Sequence, residues 1–123
     1  MIAKRVDHVS FSVRDLERSL RFYRDVLGLQ LAPRPDLGIP GAWLTIGDAQ
    51  IHLIEVPASF DNGAPPPFLV PVANHAAFAV DDHAETLKVL QAHNLDVFEL
   101  GASGQMWVKD PDGNIIELIS TTR

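Results

Sequence analysis

The chain has 123 residues, 46% hydrophobic and 21% charged, a length and balance that fit one compact globular domain and exclude disorder. Its 10 basic and 16 acidic residues leave a net charge of −6, which repels phosphate backbones and argues against nucleic acid as a partner. Zero cysteines exclude a disulfide frame, a thiol nucleophile and a Cys-based zinc site, so any metal must be held by histidine and carboxylate.

In chain order, Asp7-His8-Val9-Ser10-Phe11-Ser12-Val13 alternates and predicts a strand. Asp15 follows as an N-cap, and Leu16, Leu20, Tyr23 and Leu27 recur at helical spacing up to Gly28. A strand is expected near 29–34. Trp43 through Ile54 reads as two strands joined at Gly47-Asp48. The Pro-rich stretch 58–71, centred on Pro65-Pro66-Pro67, reads as a stiff extended connector or lid. The opening pattern then returns. Asn74-His75-Ala76-Ala77-Phe78-Ala79-Val80-Asp81-Asp82 repeats Asp7 through Asp15 at an offset of 67. Asp82 and Glu85 form a capping-box pair, Leu87 and Leu90 face inward, and Asn94 closes the helix where Gly28 closed the first. A strand near 95–100 and a strand pair from Trp107 to Ile119, joined at Asp110-Pro111-Asp112-Gly113-Asn114, complete the copy. The chain is therefore expected to be α+β. It is a single domain over 1–123, built of two tandem strand–helix–strand–strand–strand modules, about 5–57 and about 72–121.

Side chains alternate across a strand, so each histidine can be assigned a face. His8 shares its face with Ser10 and Ser12, and His75 with Ala77 and Ala79, small neighbours that leave space beside the imidazole. His52 lies between Gln50 and Ile54 on its face. Glu117 lies between Ile115 and Ile119, an expensive place for a carboxylate unless a cation or donors meet it. Under the repeat His8 matches His75, and His52 matches Glu117. Four ligand-type side chains, placed two by two, can thus converge near a pseudo-symmetry axis. Other features receive bland readings. His83 and His93, in the first and last turns of one helix, read as surface residues. Arg14, Arg18, Arg21 and Arg24 read as a solvated face with Glu17–Arg21 and Arg21–Asp25 pairs. The 110–114 run resembles the start of a calcium loop but lacks its later ligands, so a hairpin turn is expected. Trp43, Trp107, Met106, Phe60 and Phe68 line either an apolar pocket or the core.

Asp7-His8-Val9, Phe22-Tyr23-Arg24-Asp25-Val26-Leu27-Gly28, Asn74-His75 and Asp110 through Glu117 together resemble the vicinal oxygen chelate superfamily. This superfamily contains glyoxalase I, bleomycin-resistance and extradiol-dioxygenase relatives. The resemblance runs from Val6 to Ile119, and Gly41-Ala42-Trp43-Leu44 with Gln50-Ile51-His52-Leu53 looks most like its glyoxalase-like branch. It implies paired βαβββ modules with curved mixed sheets around a metal-binding cavity. The ligand positions fall on His8, His52, His75 and Glu117. The implied cofactor is a divalent ion (Zn, Ni, Co, Mn or Fe(II)), the substrate a small molecule, and the assembly a homodimer.

The implied function is a metal-dependent glyoxalase-like lyase or isomerase acting on a small carbonyl or thiol-adduct substrate through metal-stabilised enediolate chemistry. Glu117 would be ligand and base, and His52 would have the weaker claim to acid–base work. The sequence departs from glyoxalase I in carrying His52 where that enzyme has a glutamate. His8, His75 and Glu117 could equally supply the two-His, one-carboxylate set of a dioxygenase or thiol transferase. A small-molecule binding or sequestration protein is the competing class. Because no apolar run reaches the roughly 18 residues that span a bilayer, and Met1 through His8 has no signal-peptide core, no membrane partner and a cytoplasmic address are expected.

Overall fold

The computed structural model describes residues 1–69, 71–100 and 103–120, and the chain divides into two compact units, Met1–Gly63 and Ala64–Arg123. In the first unit the elements are β1 (His8–Val13), α1 (Leu16–Leu20), a π-helical continuation (Arg21–Val26), β2 (Gln30–Ala32), β3 (Gly41–Ile46) and β4 (Ala49–Glu55). The second unit repeats the order as β5 (His75–Val80), α2 (His83–Ala92), β6 (Phe98–Glu99), β7 (Gln105–Lys109) and β8 (Ile115–Ser120). Each unit forms a four-stranded mixed sheet, ordered β1-β4-β3-β2 and β5-β8-β7-β6, so the fold is α+β with two βαβββ modules. Among the described residues no helix is long and apolar enough to cross a membrane.

The repeat reaches down to single registers. Ser10 pairs with His52 across the parallel β1–β4 ladder, and Ala77 pairs with Glu117 across β5–β8. Trp43 lies opposite His52 on β3, and Trp107 opposite Glu117 on β7. Equivalent side chains therefore occupy equivalent places in each sheet.

Local chemistry explains the helices. Asp15 and Asp82 are extended N-caps whose side chains accept from Arg18 N at 3.1 Å and Glu85 N at 2.9 Å, satisfying amides that a helix start leaves open. Gly28 (φ +83°) and Asn94 (φ +58°) turn the chain out through the left-handed region. The first helix departs from the expected regular α-helix. After one α-turn it widens, with Leu27 N bonding Phe22 O at 3.0 Å, five residues back. Phe22 and Tyr23 are both buried in this wider turn and pack edge to face at 4.9 Å. The core of the first unit gathers Val13, Leu20, Tyr23, Leu44, Ile51 and Leu53; that of the second gathers Leu90, Met106, Val108, Ile116 and Leu118.

The Pro-rich stretch is neither free nor uniformly extended. Phe60 N bonds Pro57 O, Arg14 donates to Pro57 O and to Phe60 O (2.7 Å), and Asn62 Nδ2 reaches Ser12 O at 3.2 Å. Its first part is thus laid down on the first unit, and Arg14 is a clamp rather than a member of a solvated face. Its second part belongs to the second unit, where Lys109 Nζ donates to Pro66 O at 3.1 Å.

The 110–114 run is a hairpin turn. Buried Asp110 accepts from Asp112 N (3.0 Å), Asn114 N (2.8 Å) and Asn114 Nδ2 (2.9 Å), so its carboxylate ties the turn together. Asp110→Ala leaves at least two of these donors unmatched. It should cost about 1–3 kcal/mol, the range for leaving a buried hydrogen-bonding group unsatisfied, because the Asp112 and Asn114 donors are half-buried and water meets part of the loss. The denaturant midpoint measures it, and an unchanged midpoint would show that the turn does not depend on this side chain.

Candidate functional site

In the first unit His8 and His52 meet on one face of the sheet. Their rings stack with centroids 3.9 Å apart and planes 15° from parallel. Trp43 stacks on the other side of His52 at 4.4 Å and 7°, because β4 runs between β1 and β3. His8 Nδ1 lies 2.8 Å from Asp7 Oδ2, which makes Nδ1 the protonated nitrogen and leaves Nε2 with a lone pair. His52 Nε2 lies 2.8 Å from the Gln50 amide oxygen, so here Nδ1 keeps the lone pair. Burial above all, then the neighbouring His8 and Arg34, pushes the His52 pKa below its ordinary 6.5, with Asp7 opposing. The hydrogen bond from His8, aided by Arg5, holds the Asp7 carboxyl below its ordinary range.

His52 is therefore neutral, and able to donate a lone pair, further into acid than a free imidazole. In chelator-treated protein its ring-proton NMR titration should have a midpoint below 6.5. His8→Ala should return only part of the shift, because burial is the larger cause. The folded state binds its proton less readily than the unfolded chain. The associated stability is therefore present above the ordinary histidine pKa and is lost as pH falls through the depressed value. A midpoint at or above 6.5 would contradict the assignment.

In the second unit His75 and Glu117 meet. His75 Nδ1 sits 2.7 Å from Ala73 O and Nε2 sits 3.0 Å from Glu117 Oε1. A backbone carbonyl only accepts, so Nδ1 carries a proton. Nε2 then faces a carboxylate oxygen, and two lone-pair atoms at that distance need a cation between them, either a proton or a metal ion. The donor set thus suits a divalent metal. Glu117 is only 5% exposed, and its Oε2 accepts from Gln105 Nε2 at 3.2 Å. Trp107 and His75 are edge to face at 6.3 Å, and the buried Trp107 Nε1 has no hydrogen-bond partner among the described residues.

The structure brings the four residues singled out from the sequence together as two pairs, one per unit. No group of three or more potential His, Asp or Glu ligands occurs among the described residues. Met106 and Trp107 are core, whereas Phe60 and Phe68 are 49% and 71% exposed. His93 is exposed as expected, but His83 is half-buried, its Nε2 2.8 Å from Glu99 Oε1 on β6. Sequence reasoning missed Asp7, Gln50 and Gln105 as partners of the site. Gln50 stands two residues before His52, and Gln105 two before Trp107, a parity that already put them on the site's face.

Comparison with known proteins assigns the chain to a family. Residues 5–118 match the model of the Glyoxalase/Bleomycin resistance protein/Dioxygenase superfamily. A "probable lactoylglutathione lyase" of Vibrio parahaemolyticus is 31% identical over 94% of this chain and 89% of its own length. The metallothiol transferase FosB of Staphylococcus epidermidis is 29% identical over 95% of this chain and 82% of its own. The crystal structure of a glyoxalase family protein from Bacillus anthracis superposes with a TM-score of 0.80 at 26% identity, covering 98% of this chain and 97% of that one. The chain belongs to the Glyoxalase/Bleomycin resistance protein/Dioxygenase superfamily.

Proposed function

We propose that the protein is a metal-dependent lyase or isomerase of the glyoxalase type, with His8, His52, His75 and Glu117 as the ligands of a divalent ion. The observation that supports this reading is the meeting of His75 Nε2 with Glu117 Oε1 at 3.0 Å, an imidazole nitrogen and a carboxylate oxygen of the kinds a divalent ion takes. When bound, such an ion would polarise a substrate carbonyl and make the neighbouring C–H acidic. The remaining work falls to the chain. Asp7 and Ala73 O hold the two first-strand imidazoles with Nδ1 protonated, so Nε2 is the donor nitrogen of each. Gln105 donates to Glu117 Oε2, and Glu117, once its Oε1 detaches from the ion and from His75, would accept the substrate's C–H proton and return it to the adjacent carbon. Trp43, stacked on His52, keeps water from one side of that ring.

The similarity to a metallothiol transferase supports a second reading, in which the same residues assist addition of a thiol to an electrophilic small molecule. A screen of metal-loaded protein against α-ketoaldehyde–thiol adducts, with thiol addition to small electrophiles in parallel, separates the two. Turnover of adducts alone supports the lyase, and turnover in the second assay alone replaces it with the transferase. Tight ligand binding with no turnover in either overturns both in favour of a sequestration protein.

A further inference from the structure

Arg34 is a cation that the fold places without a counter-charge. Five N–H donors project from a guanidinium, and here the hydrogen bond made is Nη2 to Ile39 O at 2.9 Å. Among the described residues no carboxylate lies within ion-pair distance, and Nε is buried with no partner. Asp36, the nearest acid in sequence, turns its carboxylate to Gly38 N at 2.9 Å instead. The guanidinium has a definite place. A Cβ added to Gly41 would come within 2.9 Å of Arg34 Nη2 and 3.1 Å of Cζ, so the group lies over Gly41, where a side chain would project. Gly41 and Trp43 share a face of β3, because the buried Ala42 and Leu44 take the other. Trp43 is opposite His52, and Gly41 is opposite Ile54, two residues on from His52. Arg34 therefore stands on the His8–His52 face, about one strand repeat, roughly 7 Å, along from His52.

A half-buried arginine that gives up water without gaining a carboxylate is costly unless something else supplies the charge. We propose that Arg34 is a specificity-determining residue that binds an oxyanion of the substrate, a carboxylate or a phosphate group, set about 7 Å from the atoms held at His52. The assignment rests on the metal-site reading for what lies beside that anion, and it narrows the substrate class to small molecules carrying such a group at that distance. Neutral carbonyl compounds fall outside the class.

The test follows the side-chain N–H resonances of Arg34, with exposed Arg21 as internal control, and the ring protons of His52 by NMR. Titrants are succinate, its dimethyl ester and inorganic phosphate, against metal-free and zinc-loaded protein. Arg34 should respond to succinate or phosphate at concentrations at least about tenfold below those that move Arg21, the margin expected of a charge-assisted hydrogen bond. The ester should have no effect. The accompanying His52 shift should vanish in Arg34→Gln and return in part in Arg34→Lys. Tighter succinate binding identifies a carboxylate and tighter phosphate binding a phosphate. Equal response of Arg34 and Arg21, or an ester as effective as the acid, overturns the inference whatever the metal content. Failure to take up zinc with a normal Arg34 response overturns the metal reading and leaves the anion site standing.

Discussion

The His8→Ala/His75→Ala double variant should come out of a chelator-free purification with most of the divalent metal found in the wild type gone. Each substitution removes the nitrogen donor of one pair, the one held by Asp7 and the one held by Ala73 O. Outer partners of metal ligands alone are typically worth about 10–100-fold in affinity, so loss of two ligands should weaken binding by at least about a hundredfold. Elemental analysis with competition titration checks this. The histidine nitrogens make zinc, nickel, cobalt or iron(II) the expected ions, with manganese less well matched and calcium excluded by its preference for oxygen. The His8 and His75 side chains are 40% and 24% exposed, so little packing is lost. His75→Ala nevertheless leaves the buried Glu117 carboxylate with Gln105 Nε2 as its donor among the described residues and should lower the midpoint, so circular dichroism is used to establish that the variant is folded. Equal metal occupancy in a folded double variant would refute the ligand assignment.

Glu117→Gln should separate metal binding from proton transfer. The amide keeps the shape and one oxygen, and it retains a neighbour in Gln105, but it has neither the charge nor the basicity. Turnover of an active thiol adduct should fall by about 10²–10⁴-fold, the usual contribution of a positioned acid–base group, while metal affinity falls less. Single-turnover kinetics at matched metal occupancy makes the comparison. Wild-type turnover by metal-loaded Glu117→Gln would remove Glu117 from proton transfer, and a parallel collapse of metal binding and turnover would make it a ligand only. Removing the carboxylate also changes the partner of His75 Nε2. The two effects should be separated by measuring His75 ring shifts in metal-free protein.

The repeat at an offset of 67, the two Asp caps, Gly28 and Asn94 as helix ends, and the alternation of each strand were all legible from residues 7–119, because each depends on backbone geometry within a few neighbours. Strand parity likewise determined which face His8, His52, His75 and Glu117 would take, and the observed registers place equivalent residues in equivalent positions. Other features lay beyond any local pattern. The widened turn after Leu20, with Leu27 N bonded to Phe22 O, is a change of hydrogen-bond pattern that apolar periodicity does not encode. The Pro-rich stretch looked stiff from its composition, yet its course is set by Arg14, Asn62 and Lys109, which lie on it or reach it from distant positions.

The sequence by itself determined the type of each site residue and the strand face it occupies, since alternation and repeat symmetry are properties of the chain order. Only the tertiary structure decided which nitrogen of each imidazole is committed, that Glu117 is met by His75 and Gln105, and that Arg34 lies over Gly41 with no carboxylate beside it among the described residues. The physical reason is the range of the interactions. Alternation is fixed by neighbouring dihedral angles, whereas hydrogen-bond partners and charge neighbours are fixed by which strands and loops come to lie within about 3 Å of one another.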